Sequence, residues 1–435
     1  MKKLFAKKNL LLIGLCIFIF LFSHIIHLNL AIALFLIILY LCFQNKFSKI
    51  KSANLANLSF LFLISFTIGH TLLKHGLSFY FIPIAIIPML SVLLFNNLEI
   101  AYFLSLGTSL SLASLTAEPF KAWFIFMTLC SCAILLINKA NKRTAVIRAG
   151  LMAGLIQLIS LILLEHSWIN QPERYLIIII SSLTSGIIVL GVLPIFEYLL
   201  QTVTNISLLE LADSHHPILQ RMILEAPGTY HHSLIVGNLS DTACTTIGAN
   251  GLLARIGSYY HDIGKLQKPE YFIENQQIKK NLHDQLSPTM SKMIIMNHIK
   301  EGLDLAKKYS LSPALWDFIQ QHHGNSLVYY FYRRALEGRE EDEEVTEEGF
   351  RYPGPKPNTK ETAIVLLADS VEAATRTLKD PTPIKIEEVV HKVINNKFID
   401  GQLDECELTL KDIEKISNVF TKILSGIYHS RVSYS

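Results

Sequence analysis

The chain has 435 residues, 51% of them hydrophobic and only 17% charged, with a mean hydropathy of +0.36, which is greasier than an ordinary soluble protein. A net charge of +3 is too small to argue for a nucleic-acid polymer as partner. Its six cysteines, Cys16, Cys42, Cys130, Cys132, Cys244 and Cys406, have no spacing that suggests disulfides or a zinc knuckle, and four of them lie inside apolar runs.

Almost all of the apolar excess precedes residue 200, so a membrane region over 1–200 and a water-soluble region over 201–435 are expected. A bilayer core of ~30 Å needs about 20 apolar residues per helix, and roughly eight stretches qualify. They lie near 9–27, 29–44, 57–74, 78–95, 98–116, 120–138, 148–165 and 175–200. The segments KKLFAKK, QNKFSKIKSAN and NKANKRTAVIR are rich in lysine and arginine and are assigned to the cytoplasm, whereas SHIIHLN, LLKHG, TAEPFK and EHSWINQPER carry fewer basic residues. Alternation then places the N-terminus and residues 201–435 inside, and an even number of crossings satisfies every loop. The short second stretch also fits a re-entrant hairpin. A basic start followed by an apolar run fits a cleaved signal peptide too, as the lesser reading beside a first membrane helix. The cores of these stretches are almost free of charged residues, which argues against a transport pathway.

Beyond residue 200 the periodicity becomes helical. ISLLELADSHHPILQRMILEA, LIVGNLSDTACTTIGANGLLARIGSYYHDIG, SPTMSKMIIMNHIKEGLDLAKKYSL and PALWDFIQQHHG repeat apolar residues at three and four, and β-rich runs are missing. The fold class expected is all-α, a polytopic helical bundle followed by a helical cytoplasmic domain. A loop at roughly 337–360, with EGREEDEEVTEEG and RYPGPKPN, reads as a solvated, mobile segment or as a lid over a cleft.

The histidines carry the chemistry. His231-His232, His261-Asp262, His298, His322-His323 and Asp369 sit in or at the ends of apolar helical segments, where an unpartnered imidazole or carboxylate is costly to bury. Singly, each is readily an ordinary hydrogen-bonded core residue. Jointly, five separated helices deliver imidazole or carboxylate and little else that is polar at those points, and such ligands without thiolate suit Mn, Fe or Zn at a catalytic rather than a structural site. Adjacent helical residues point about 100° apart, so His261 reaches one ion while the Asp262 carboxylate spans two. Two ions ~3.5–4 Å apart suit in-line phosphoester hydrolysis. Lys265, at i+4 from His261 and i+3 from Asp262, lies on the same side and can offer its charge to a phosphate oxygen.

This order, H then HD then H then HH then D, resembles the HD-domain superfamily of metal-dependent phosphohydrolases. The stretches APGTYHHSLIVGNL, YYHDIGKLQKPEYFIENQ, HHGNSLVYYFY and FRYPGPKPNTKETAIVLLADSVEAATR, behind a polytopic membrane region, resemble the seven-transmembrane HD receptor family of bacterial cyclic di-AMP phosphodiesterases. The resemblance implies a two-metal site with His232, His261 and Asp369 on one ion, His298, His322 and His323 on the other, and Asp262 bridging. His323 is the member that could face substrate instead. His231 is left out, since consecutive helical positions cannot both point inward.

It further implies a multi-pass protein of the bacterial cytoplasmic (inner) membrane that hydrolyses cyclic di-AMP to linear pApA, with two divalent ions, Mn or Fe, and with Asp262 and Lys265 catalytic. Partners are then a cyclic dinucleotide and the lipid bilayer; oligomeric state, a homodimer included, stays open. Family members commonly carry a large extracellular domain after the first membrane helix, where this chain has only SHIIHLN, so loss of an external sensor is expected. Two other functions compete. A cyclic di-GMP phosphodiesterase would show HHE and an RxDGxGYP-like run, where this chain has HHGNSLVYYFYRR. A catalytically silent nucleotide-sensing receptor would be expected to have lost ligands, and none is missing.

Overall fold

The computed structural model describes residues 52–138, 140–164, 172–200, 202–276, 281–338 and 345–428. The expected membrane stretches 9–27 and 29–44, Cys16 and Cys42, and most of the loops QNKFSKIKSAN and EHSWINQPER lie outside the described residues. Described residues are helical almost throughout, with one isolated β-bridge between Leu327 and Arg351. The chain divides into two compact units, Met1–Leu200 and Gln201–Ser435.

In the first unit, α1 (Ser52–Lys74) is followed by α2 (Ile86–Phe95), α3 (Leu98–Ala113), α4 (Pro119–Ile137), α5 (Arg143–Leu164) and α6 (Pro172–Leu200). Among the described residues three helices are long and apolar enough to cross a membrane: Pro119–Ile137, Arg143–Ile162 and Tyr175–Leu200. The stretch 78–95 is not one helix. A 3₁₀ turn at Phe79–Phe81 leads through Pro83, which has no N–H to extend it, and α2 starts only at Ile86. Glycine replaces bulk where α5 meets α6: a side chain at Gly150 would run into the Ser182 carbonyl, and Ser182 Oγ donates to the Gly150 carbonyl at 2.7 Å. Thr128 of α4 donates to Gln157 of α5 at 2.6 Å, satisfying a buried amide in an otherwise apolar contact.

The second unit is built round α14 (Lys360–Thr375). Its residues Ala363 to Ala368 are all buried, the mark of a helix apolar on every side and packed all round. Thr359 and Thr362 close its N-terminus as a capping box. Around it stand α7 (Asn205–Leu211), α8 (Pro217–Glu225), α9 (Pro227–Ile247), α10 (Gly251–Tyr260), α11 (Pro288–Lys308), α12 (Pro313–Gln321), α13 (Tyr329–Glu337), α15 (Pro383–Ile399) and α16 (Leu410–Ile427). One continuous core contains Val236, Ile256, Phe318, Leu366, Val390 and Phe420. At ~25 cal/mol per Å² of apolar area removed from water, each such side chain contributes about 1.5–3 kcal/mol.

Two differences from the sequence expectation bear on the site. His261 caps the end of α10 and Asp262 lies beyond it at φ −109°, leading into a 3₁₀ turn, Ile263–Gln267. The pair therefore straddles a helix end instead of continuing a helix. In the stretch 337–360, residues 339–344 lie outside the described ones, but the segment 350–352 is anchored rather than solvated: Phe350 and Tyr352 are buried, and the Val328 N–H donates to the Phe350 carbonyl at 2.9 Å.

Candidate metal centre

Five helices deliver the side chains. His232 projects from α9, His261 from the end of α10, His298 from α11, His322 from the end of α12 with His323 next to it, and Asp369 from α14. His231 faces outward and is exposed. His232, His261, Asp262, His298 and His322 are each no more than 3% exposed, and Asp369 is 7% exposed. Among the described residues three groups place one ligand atom each within 4.8 Å of one another: His232, His261 and Asp369; His298, His322 and His323; and His261, Asp262 and His322. Asp262 lies between the first two groups. Its Oδ2 is 3.2 Å from His261 Nε2 and 3.8 Å from His232 Nε2, while its Oδ1 is 3.4 Å from His298 Nε2 and 3.5 Å from His322 Nε2.

The tautomers follow from the surrounding acceptors. His261 Nδ1 faces the Ser258 carbonyl at 2.6 Å, His298 Nδ1 the Ile295 carbonyl at 2.5 Å, and His322 Nδ1 the Phe318 and Ile319 carbonyls at 3.0 Å. His232 Nδ1 donates to Glu372 Oε2 at 2.6 Å. Each Nδ1 is thus the donor, and the Nε2 atoms of His261, His298 and His322 turn a lone pair to the centre, as in metal-ligating histidines whose rings are oriented from behind, while His232 Nε2 stands 3.0 Å from Asp369 Oδ1. Such a set is short of a cation. His298 Nε2 and His322 Nε2 face each other at 3.2 Å with no proton between two acceptors, and His261 Nε2 and Asp262 Oδ1 are buried without a hydrogen-bond partner. The donors therefore fit divalent ions bound by nitrogen and oxygen.

The electrostatics agree. Burial, with the nearby Asp262 opposing it, pushes the His298 imidazole down to about 3, and burial beside His322 holds His323 well below its ordinary value, so both rings are neutral and ready to ligate. Burial works against charge on His232, yet hydrogen bonds to Asp369 and Glu372 raise it to about 10. An ion binding there must displace that proton. Burial would lift the Asp262 carboxyl, but its close neighbours, the Lys265 ammonium among them, hold it well below the carboxylate range.

Lys265, expected to offer its charge to a phosphate, is also paired with two carboxylates. Its ammonium lies 2.6 Å from Asp262 Oδ2 and 2.8 Å from Glu274 Oε1, and it sits over the Phe272 ring at 5.0 Å. Burial disfavours its charge, but the two carboxylates raise it above the ordinary lysine value. It braces Asp262 from below and also lines the cavity that opens over the cluster. That cavity, about 470 Å³, is bounded by Tyr271, Phe272, Tyr330, Tyr352 and Arg376 as well as by His232, His298, His323 and Asp369.

Three residues escaped the sequence reading. Glu372 had a signal, since it stands three residues after Asp369, one turn along the same face of a helix whose preceding run, Ala363 to Ala368, is wholly apolar. Glu274 had none, because it reaches Lys265 only through successive 3₁₀ turns. Tyr352 was hidden in the proline-rich stretch read as a loop.

Comparison with known proteins places these features in context. The family model described as "7TM receptor with intracellular HD hydrolase" matches residues 20–204, and the HD domain model matches 229–374. The chain is similar to the cyclic-di-AMP phosphodiesterase PgpH of Bacillus subtilis, 43% identical over 307 residues, which cover 69% of this chain and 43% of the relative. To PgpH of Listeria monocytogenes it is 35% identical over 409 residues, 92% of this chain and 54% of the relative. The chain thus spans about half the length of the curated relatives it matches. Crystal structures of the L. monocytogenes PgpH HD domain, alone and in complex with cyclic-di-AMP, are 45% and 44% identical. They cover 49% and 50% of this chain and all of the solved chains, with TM-scores of 0.47 and 0.48.

Proposed function

Because the chain belongs to the family of 7TM receptors with an intracellular HD hydrolase, we propose that it is a membrane-anchored, metal-dependent phosphodiesterase that opens cyclic di-AMP to linear pApA. In this reading residues 1–200 form the anchor in the bacterial cytoplasmic membrane, with about eight helices. Residues 201–435 form the catalytic HD domain in the cytoplasm. The observation that carries it is the pair of candidate ligand trios with Asp262 between them, four members of which, His232, Asp369, His298 and His323, line a cavity that also presents aromatic and basic side chains.

His232, His261 and Asp369 would hold one divalent ion and His298, His322 and His323 the other, with Asp262 shared; Mn or Fe suits these ligands. Ions held there supply positive charge that polarises a phosphodiester and acidifies water. The chain's own residues prepare the ground. Backbone carbonyls and Glu372 fix the rings, and Lys265 holds Asp262 in place with its charge at the cavity wall, within reach of a phosphate that enters. Hydrolysis adds the oxygen of water to phosphorus and breaks the bond to the ribose 3′ oxygen, which takes up a proton, leaving a 5′-phosphate and a free 3′-hydroxyl. Choice of adenine rests on similarity to the PgpH proteins.

The test is turnover and metal content on one preparation of the full chain in detergent, loaded with Mn and challenged separately with cyclic di-AMP, cyclic di-GMP and pApA. Two ions per chain with conversion of cyclic di-AMP to pApA are expected. Cleavage of cyclic di-GMP instead would discard the base assignment, and tight binding without turnover would replace the enzyme by a nucleotide sensor.

A further inference from the structure

The ligand histidines are not held alike. His232, His261, His298 and His322 each have Nδ1 tied to a carboxylate or to a carbonyl of their own helical turn. Among the described residues no carbonyl is bonded to the His323 ring: its Nδ1 stands 3.5 Å from Asp369 Oδ2, its ring lies tilted 46° to that of His322 at 4.1 Å and edge-on to that of His298 at 5.2 Å, and its side chain is 21% exposed. What it has instead is a ring. Tyr352 stacks on His323 with centroids 4.3 Å apart and planes 24° from parallel, and meets His298 edge-on at 6.3 Å.

That ring is itself held firmly. The Tyr352 N–H donates to the Ser326 carbonyl at 3.0 Å, Leu327 and Arg351 form a bridge, and Arg351 Nη1 donates to the Asn325 carbonyl at 3.1 Å. The turn after His323 is fixed from its other side as well: Gln402 Oε1 accepts from the Asn325 N–H at 3.0 Å, Gln402 Nε2 donates to Asn325 Oδ1 at 2.7 Å, and Lys397 Nζ donates to Ser326 Oγ at 2.7 Å. An extended segment, 350–352, is therefore laced to the turn after the two histidines, and the one side chain it sends toward the metal ligands is an aromatic ring lying flat on the loosest of them.

We propose that Tyr352 is the positioning residue of His323, doing by stacking what a hydrogen bond does for the other imidazoles, and so setting the affinity of the ion held by His298, His322 and His323. The inference rests on the two-ion reading above. The ring face is the working part, because a flat stack restrains rotation of His323 while leaving both of its nitrogens free to ligate. Outer contacts that orient a metal ligand commonly change metal affinity ten- to a hundred-fold, and a loss of that size at one ion of two is measurable.

The experiment is metal content and stepwise metal affinity of the full chain in detergent, by Mn titration against a competing chelator, for the wild type, Tyr352→Phe, Tyr352→Leu, His323→Gln and the double variant Tyr352→Leu/His323→Gln. The wild type should bind two ions, and Tyr352→Phe should match it because the ring remains. Tyr352→Leu should keep the first ion and hold the second at least ten-fold more weakly, and the double variant should bind no worse than His323→Gln alone. A wild type that binds fewer than two ions overturns the two-ion reading, whatever Tyr352 does. With two ions in the wild type, an unchanged second affinity in Tyr352→Leu overturns the role of Tyr352. Loss of an ion in Tyr352→Phe overturns it too, and does so even if the leucine variant fails to fold.

Discussion

Removing the carboxylate behind His232 isolates how much of the metal centre depends on its supports. Glu372 is 2% exposed and accepts from His232 Nδ1 at 2.6 Å, on the far side of the ring from the Nε2 that points to Asp369 at 3.0 Å. Glu372→Gln keeps the shape and one acceptor oxygen but removes the charge that makes the imidazole a stronger ligand, so the first ion should be held about ten-fold more weakly. Glu372→Ala also strands a buried N–H, which costs about 1–3 kcal/mol, and should approach a hundred-fold, or about 2.7 kcal/mol at 1.36 kcal/mol per factor of ten. Competition of Mn against a chromophoric chelator at fixed pH reads both values. Turnover at saturating metal should recover in the glutamine variant more fully than in the alanine variant. Wild-type affinity in Glu372→Ala would refute the reasoning, since it would mean that the ring is held without its partner.

Asp262→Ala should abolish hydrolysis and leave circular dichroism helical, because the core lies in other side chains; residual activity above about a tenth in a metal-verified sample would sink the shared-ligand assignment. Gly264→Ala puts a methyl group into the His298 carbonyl and the Gly302 N–H of α11, backbone that cannot step aside. Overpacking of that kind costs about 1–3 kcal/mol, or ~2–4 °C of melting temperature per kcal/mol in a domain of this size, and an unchanged thermal melt would contradict it. Asp400, held below its ordinary 3.8 chiefly by Arg351 and Gln402 against a burial that raises it, stabilises the fold above that pH and loses this contribution as pH falls through its lowered value. Asp400→Asn should therefore lower stability at neutral pH and flatten the acid limb, whereas a melt-versus-pH curve parallel to wild type would exclude the linkage.

The clustering of the candidate ligands is legible because each is a costly residue in a cheap place: an imidazole or carboxylate set in an apolar helical run, repeated on five helices. Helix class was legible for the same reason, from apolar spacing alone. What escaped depends on geometry that spacing does not encode. Treating His261-Asp262 as continuous helix missed that α10 stops at Tyr260, which frees Asp262 to turn inward. The pairing of Lys265 with Glu274 is hidden in the sequence, because Glu274 comes close only after the chain folds back through 3₁₀ turns. The stretch 78–95 is apolar enough to read as one helix, but the helix is interrupted around Pro83, a local effect that hydropathy overlooks. Tyr352 is not legible in the sequence, because prolines and charge there signal a loop, while its segment pairs with residues 326–328 only in the folded chain.

The manner in which three of the imidazoles are braced has an evolutionary consequence. His261, His298 and His322 lean on the carbonyls of residues 258, 295, 318 and 319, within one helical turn of themselves. Every amino acid supplies a carbonyl, so drift at those four positions leaves the rings aimed, and the aim is already present in any fragment that forms the turn. His232 and His323 depend on Glu372 and Tyr352, partners far along the chain and specific in kind. Selection therefore has two unequal handles on this centre: one part that almost any sequence can inherit, and one part where a single exchange, remote in sequence, can weaken an ion without touching a ligand.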